Sequence, residues 1–379
     1  MKKNFLFAAV ALAAMTSCSN DEVVNVNNGD AISFRASLDK AISRGAETTV
    51  QNLGAFNVTA VGNGKNYFTN LAVTSDDQGS SWKTGSTYYW PSFELEFLAY
   101  APQELSNKVT LSTTDKKITN FSPEQIVANQ KDVVVAYNTG TREANESHGV
   151  SLNFKHILSQ IAVQAKCPNP NIKIEVKGIR IVNVATSANF TFPTSPTTTE
   201  YVLSQNQWSE WSGNDIPQNA YKIEGNKDVV LTDTPQSLMF GTNNFMLIPQ
   251  KLTPWGKNNT SMGAYLSVLC RISSKDGDNE VLLYPLATTE NSKEGVYAYS
   301  AVAIDTNWEP GKKYTYTLTF CGDDGGAGRI DPNPDTDNPA IDPNPIPGKE
   351  KGELILGKPI KFTVSVDPWQ EESKNITME

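Results

Sequence analysis

Histidine, cysteine and long apolar runs are all scarce in this chain, and each shortage excludes a class of protein. Only His148 and His156 supply imidazoles in 379 residues. No serine sits in a Gly-x-Ser-x-Gly elbow, and neither a His-Glu-x-x-His pair nor a Walker-type glycine loop occurs. His156 falls on the apolar face of an alternating run, where a satisfied core histidine outweighs a catalytic base. The chain is therefore expected to be no enzyme, with no cofactor and no metal centre. Beyond Cys18 only Cys167, Cys270 and Cys321 remain, odd in number and far apart. That spacing excludes a disulfide-stapled small domain and a close-spaced zinc knuckle, and it permits at most one disulfide. Cys270 shares a face with Leu266, Val268 and Ile272, which reads as a small buried hydrophobe. Basic charge is also short: 32 lysines and arginines stand against 41 acids, a net charge of -9. With no basic patch to replace phosphate counterions, nucleic acid is not an expected partner.

The one apolar run, Phe5 to Met15, falls short of the roughly 20 residues that a spanning helix needs. It follows Lys2 and Lys3 and precedes Thr16-Ser17-Cys18, the pattern of a lipoprotein leader over residues 1–17. Cys18 is then expected to carry lipid through its sulfur and to tether the precursor to a membrane. Removing that leader takes two of the 32 basic residues and leaves 30 against 41, a net charge of -11. The 362 residues left of 379 exceed one ordinary sandwich and suit two domains.

What the chain does have is alternation. Phe93, Leu95, Phe97 and Ala99 share a face against Glu94 and Glu96, and Leu266 to Ile272 repeats the pattern. Asp276-Gly277 then turns the chain into Val281 to Leu286, because glycine accepts the positive φ of a tight hairpin. Tyr314, Tyr316, Leu318 and Phe320 oppose Thr315, Thr317 and Thr319. Helical periodicity is nearly absent, so the expected class is all-β, built as sandwiches. Between Lys155 and Ser159 the apolar face changes parity, which requires a bulge or a helical turn. A domain boundary is placed near Lys166, before Cys167-Pro168-Asn169-Pro170. Gly322 to Gly352, rich in Gly, Pro and Asp, reads as a flexible linker. Its aspartates, Asp323, Asp324, Asp331, Asp335, Asp337 and Asp342, lack the spacing of a calcium loop. Exposed-looking aromatics, Tyr88-Tyr89-Trp90, Trp208, Trp211 and Trp255, read as packing rather than as a glycan platform. One last amphipathic strand follows the linker, with Ile360, Phe362, Val364 and Val366 on one face.

Several stretches, taken in order, carry a resemblance. They are Ile32-Ser33-Phe34-Arg35-Ala36; Tyr88-Tyr89-Trp90-Pro91 leading into Leu95 to Pro102; Leu152 to Gln160; Leu247-Ile248-Pro249-Gln250; Gly311 to Tyr314; and Phe362 to Trp369. With these the chain resembles the fimbrillins, type V pilus subunits of Bacteroidia, and Ser19-Asn20-Asp21-Glu22 resembles the surface-export signal of Bacteroidia lipoproteins. The resemblance implies two transthyretin-like β-sandwich domains in tandem with a C-terminal donor-type strand. It implies that an arginine-directed protease removes the first strand with its lipid, and that the C-terminal strand of the next subunit fills the groove by β-strand complementation. Carried onto this chain, the removable strand spans Ile32 to Leu38 with Ile32 and Phe34 inward. The cut follows Arg44 in Ser43-Arg44-Gly45-Ala46, with Arg35 as the other candidate. The donor residues are Ile360, Phe362, Val364 and Val366. The implied division is a propeptide at 18–44, domains at 45–166 and 167–321, a linker at 322–352 and a strand segment at 353–379. Implied partners are other pilus subunits, with host glycans or proteins at the cell surface. The alternative is a lipid-anchored surface protein, a pilus anchor or a glycan or partner binder, whose last strand folds back onto its own second domain.

Overall fold

The computed structural model describes residues 31–38, 48–214, 220–256, 263–277, 279–287, 295–323, 325–334 and 337–368. Cys18 and Arg44 lie outside the described residues. Among the described residues the chain is all-β, and its two α-helices, Val50–Leu53 and Arg142–Asn145, are single turns of four residues. The first nine strands are β1 (Phe34–Leu38), β2 (Ala55–Gly62), β3 (Lys65–Thr74), β4 (Lys83–Thr84), β5 (Leu95–Ala101), β6 (Thr110–Ser112), β7 (Lys117–Phe121), β8 (Val134–Gly140) and β9 (Val150–His156). Next come β10 (Ser159–Lys166), β11 (Ile172–Val182), β12 (Ser187–Thr191), β13 (Trp208–Ser212), β14 (Tyr221–Val230), β15 (Gln236–Ser237) and β16 (Phe245–Leu247). The last are β17 (Tyr265–Asp276), β18 (Asn279–Tyr284), β19 (Ala298–Ala303), β20 (Lys312–Thr319), β21 (Arg329–Ile330) and β22 (Lys361–Pro368).

The first sandwich is organised by a seven-stranded sheet in the order β1-β9-β8-β5-β2-β3-β4. Alternation sends Leu95, Phe97 and Ala99 of β5 to one face, where they meet Phe56, Val58, Leu152 and Phe154. The opposite face is buried too. Leu98, Tyr100, Val135 and Tyr137 lie under a four-stranded sheet, β13-β12-β7-β6, through Ile118, Phe121, Phe190 and Trp208. Glu96 stays near the rim, where Lys116 Nζ and Tyr137 Oη donate to it at 2.8 and 3.1 Å. The covering strands β12 and β13 come from beyond Lys166, so the chain does not divide cleanly there: it re-enters the first half to roof it.

The parity change expected between Lys155 and Ser159 marks a change of sheet. β9 ends at His156, Ile157 and Leu158 are buried in the cluster beneath the roof, and β10 starts a second sandwich. There β10 and β20 run parallel, with Lys166 opposite Thr319, in a sheet ordered β15-β10-β20-β22. Ile161, Val163, Tyr314, Tyr316 and Leu318 on this sheet face Ile174, Val176, Leu266, Val268 and Cys270 on the sheet β14-β11-β17-β19-β21. Cys270 is fully buried in this core, and Gly277, at φ +62, leads from β17 into β18.

Residues 322–352 depart from the flexible spacer expected of them, since their described part is fastened to the second sandwich. β21 pairs with β19, and Ile341 packs on Leu269 and Tyr299. Composition undercounted them because Ala327, Ile330 and Ile341 are buried singly rather than along one face, and because a buried ion pair adds to the fastening. Arg180 Nη2 donates to Asp331 Oδ2 at 2.8 Å, and their side chains are 8% and 1% exposed. Tyr265 Oη and Ser267 Oγ also donate to Asp331, as does the Asn333 amide at 2.8 Å. Burial works against the Arg180 charge, yet Asp331 together with Tyr265 and Tyr299 outweighs it and holds the guanidinium above its ordinary value. Gly328, at φ +87, is needed where this segment passes Ser300, because a Cβ there would lie 2.2 Å from Ser300 Oγ. Replacing Asp331 with alanine strands the Arg180 charge. Asp331→Ala is expected to cost about 3–5 kcal/mol in urea unfolding, and to open residues 322–352 to proteolysis.

Candidate functional site

Two strands at sheet edges stand apart from the rest, one near each end of the described chain. β1 lies at the edge of the seven-stranded sheet and, among the described residues, pairs with β9 alone, in parallel, from Phe34 opposite Val150 to Leu38 opposite Phe154. Its inward residues are core: Ile32 is 4% exposed and Phe34 1%. The Phe34 ring meets Phe97 edge-on at 5.6 Å between centroids. Gly149, at φ +72, admits the strand, since a Cβ there would lie 3.1 Å from the Ser33 carbonyl oxygen. Outward, Arg35 Nη2 donates to Ser151 Oγ at 2.8 Å from an exposed position within the ladder. The ladder of β9 with β8 is confined to Val134 opposite His156 and Val135 opposite Lys155. β1 is thus the main ladder partner of Val150 to Phe154.

The chain beyond β1 is anchored separately. Asp132 Oδ2 accepts from the Thr48 amide at 3.0 Å and contacts His156 Nδ1 at 2.8 Å, in a site where both side chains are almost fully buried. His156 is therefore a structural tie at the end of β9, as its apolar setting suggested.

β22 lies at the opposite edge of the molecule's second sandwich, antiparallel to β20 from Lys312 opposite Pro368 to Thr319 opposite Lys361. Burial fades along it: Ile360 is 4% exposed, Phe362 and Val364 are half-buried, and Val366 is 49% exposed. Phe362 rests on Tyr316 at 5.9 Å between centroids. Burial pushes the Tyr314 and Tyr316 hydroxyls up to about 12, so the floor under β22 is uncharged at neutral pH. The structure brings Ile32 and Phe34 together with Phe97, and gathers Ile360, Phe362 and Val364 on β20. The two sets lie on different sheets and do not meet within one chain.

A family model described as fimbrillin-like matches residues 40–329. This chain belongs to the fimbrillin-like family. No curated protein matches it. Solved structures similar to it include a candidate cell adhesion protein from Bacteroides eggerthii, 12% identical over 90% of this chain and 97% of that one, with a TM-score of 0.48. Another from Parabacteroides distasonis is 13% identical over 88% and 98%, with a TM-score of 0.47. The C-terminally truncated tip fimbrial protein Mfa3 of Porphyromonas gingivalis is 9% identical over 86% and 97%, with a TM-score of 0.34.

Both edge strands of this fimbrillin-like chain fall outside the matched stretch, β1 before it and β22 after it. The sequence reading missed the edge that receives β1. The strand that pairs with Val150, Leu152 and Phe154 lies 116 residues upstream, where nothing local marks it as their partner. The aromatics singled out for packing do pack for the most part. Tyr88 lies on Phe68 at 4.6 Å, Trp90 on Phe97 at 5.9 Å, and Trp255 on Tyr265 at 5.8 Å. Tyr89 and Trp211 stay exposed. Unequal burial of the two edge strands gives an unequal mutational cost. Phe34→Ala is expected to lose about 3–5 kcal/mol of unfolding free energy, whereas Val366→Ser stays within about 0.5 kcal/mol. Equal costs in denaturant titrations would contradict this assignment.

Proposed function

We propose that this fimbrillin-like chain is a structural subunit of a surface pilus that polymerises by strand exchange. Cleavage after Arg44 releases the lipidated segment that contains β1, and β22 of another copy takes the vacated place on β9. The observation that carries this reading is a likeness between the two edge strands themselves. β1 and its lead-in read Ile32-Ser33-Phe34-Arg35-Ala36-Ser37-Leu38, and β22 with its lead-in reads Ile360-Lys361-Phe362-Thr363-Val364-Ser365-Val366. Isoleucine and phenylalanine take the first two inward positions in both, small or branched apolar residues take the next two, and a serine faces outward at the sixth. Phe362 would then occupy the pocket that Phe34 fills against Phe97. An unpaired edge over an open apolar core is costly, and an alternating strand repairs both faults at once. Four inward side chains, at ~1.5–3 kcal/mol each, contribute roughly 6–12 kcal/mol before ordering costs.

The family membership supports a fimbrial, non-enzymatic role. Cys18 tethers the precursor to the outer membrane in this reading, and the finished pilus supports adhesion through loop surfaces that meet host glycans or proteins. A second reading rests on the ladder that β22 already makes with its own β20. In it the chain remains a lipid-anchored, non-polymerising surface protein or pilus anchor.

The test uses surface material sheared from cells that express the full chain. A mature N-terminus at Gly45 without lipid, and ladders resistant to mild denaturant that disappear in Phe362→Asp, are expected. Pairing Ser365→Cys with Asn153→Cys should link neighbouring copies, since Ser37 faces Asn153 in the β1 ladder. An acylated Cys18 in the surface form, or ladders indifferent to Phe362→Asp, would sink strand exchange and leave the anchored reading.

A further inference from the structure

β10 and β20 run parallel, and each leaves the sheet at a cysteine. Lys166 stands opposite Thr319 in the last pair of the ladder, and the Phe320 amide donates to the Lys166 carbonyl at 2.9 Å. Cys167 follows one strand directly and Cys321 follows the other by two residues. Cys321 has φ +47, a left-handed conformation uncommon for a residue with a side chain, and it breaks the strand direction at this point. Its side chain packs on the cluster that contains Cys167, at the same end of the two paired strands. Both are free thiols in this structure, Cys167 buried and Cys321 partly exposed, while Cys270 lies in the core.

We propose that Cys167 and Cys321 form a disulfide that bolts the end of β20 to the end of β10. The reaction breaks two S–H bonds and makes one S–S bond, while a disulfide oxidant, small molecule or protein, is reduced to two thiols that carry the two protons. The neighbouring Cys321 thiol holds the Cys167 thiol down to about 7 against burial, so neutral solution contains the thiolate that exchange requires. Loss of the remaining proton beside that sulfur is disfavoured, which pushes Cys321 well up.

The position gives the bond its consequence. The Cys321 amide donates to the Gly326 carbonyl at 3.0 Å, and the Gly326 amide donates to the Pro359 carbonyl at 2.8 Å, next to Ile360. The turn that begins at Cys321 therefore touches the lead-in to β22. β20 is the strand on which β22 lies, so a bolt here holds that edge and the start of the C-terminal arm in place whether β22 is seated or gone. This inference stands independently of strand exchange, because it concerns the fold of one chain.

The full chain, reduced and then exposed to oxidised glutathione under native conditions, should yield a Cys167–Cys321 peptide in a digest made without reductant. Two fewer thiols should react after denaturation, in wild type and in Cys270→Ser alike, but not in Cys321→Ser. The oxidised protein should melt higher by roughly 5–15 °C, from the closure of a loop of about 150 residues, and Cys321→Ser should lose that dependence on reductant. An unchanged thiol count, or a linked peptide that pairs Cys270 or Cys18 instead, overturns the proposal.

Discussion

A sheet edge with an apolar core behind it has to be covered, because bare amides and carbonyls and bare phenylalanines are each costly in the wrong surroundings. In this protein that requirement falls on β9. Its inward residues Val150, Leu152 and Phe154 belong to the same core as Phe56 and Phe97, so the strand that pairs with β9 also closes that core. β1 meets both needs with five ladder residues and three buried side chains, Ile32, Phe34 and Leu38. The short ladder between β9 and β8 makes the requirement sharper, since beyond it β1 supplies the backbone ladder of Val150 to Phe154. Everything proposed about assembly reduces to which strand satisfies β9, and from which copy.

Around that edge the remaining contacts are arranged so that neither edge strand carries its sandwich alone. Asp132 ties Thr48 to His156 at the end of β9, which anchors the chain on the far side of the undescribed stretch from β1. The roof strands β12 and β13 close the opposite face of the seven-stranded sheet, independently of β1. In the second sandwich Asp331 gathers Arg180, Tyr265, Ser267 and Asn333, so the segment leading toward β22 is held by buried charge and hydrogen bonds. β22 keeps a complete backbone ladder but surrenders its apolar face by degrees, from Ile360 to Val366. A strand seated in this way gives up less on leaving than β1 does.

Residues 322–352 show where reading composition goes wrong. Their Gly, Pro and Asp content gives no apolar face, and a segment without one is ordinarily a spacer. Beside the buried Ala327, Ile330 and Ile341, part of what holds it is a single pair, an arginine inside strand β11 and an aspartate 151 residues later. Neither residue marks the other locally, and Asp331 is one of two aspartates with the same neighbours: Asp342 also stands in Asp-Pro-Asn-Pro, yet it faces a surface turn through the Asn344 amide. The chain passes from the first sandwich to the second between His156 and Ser159, but a change of sheet does not stop later strands from returning, as β12 and β13 do.

By itself the sequence determined the all-β class, the inward faces of β5, β10, β17, β20 and β22, the hairpin at Gly277 and the buried setting of His156 and Cys270. These are local properties, because alternation with a period of two assigns each side chain to a face wherever the strand lies. Only the tertiary structure decided that β1 lies parallel on β9, that β5 is buried on both faces, that Asp331 is a hub and that Cys167 meets Cys321. Those outcomes depend on which surfaces meet across 100 residues or more of chain. A periodic pattern states which face needs a partner, and the packing of the whole chain supplies it.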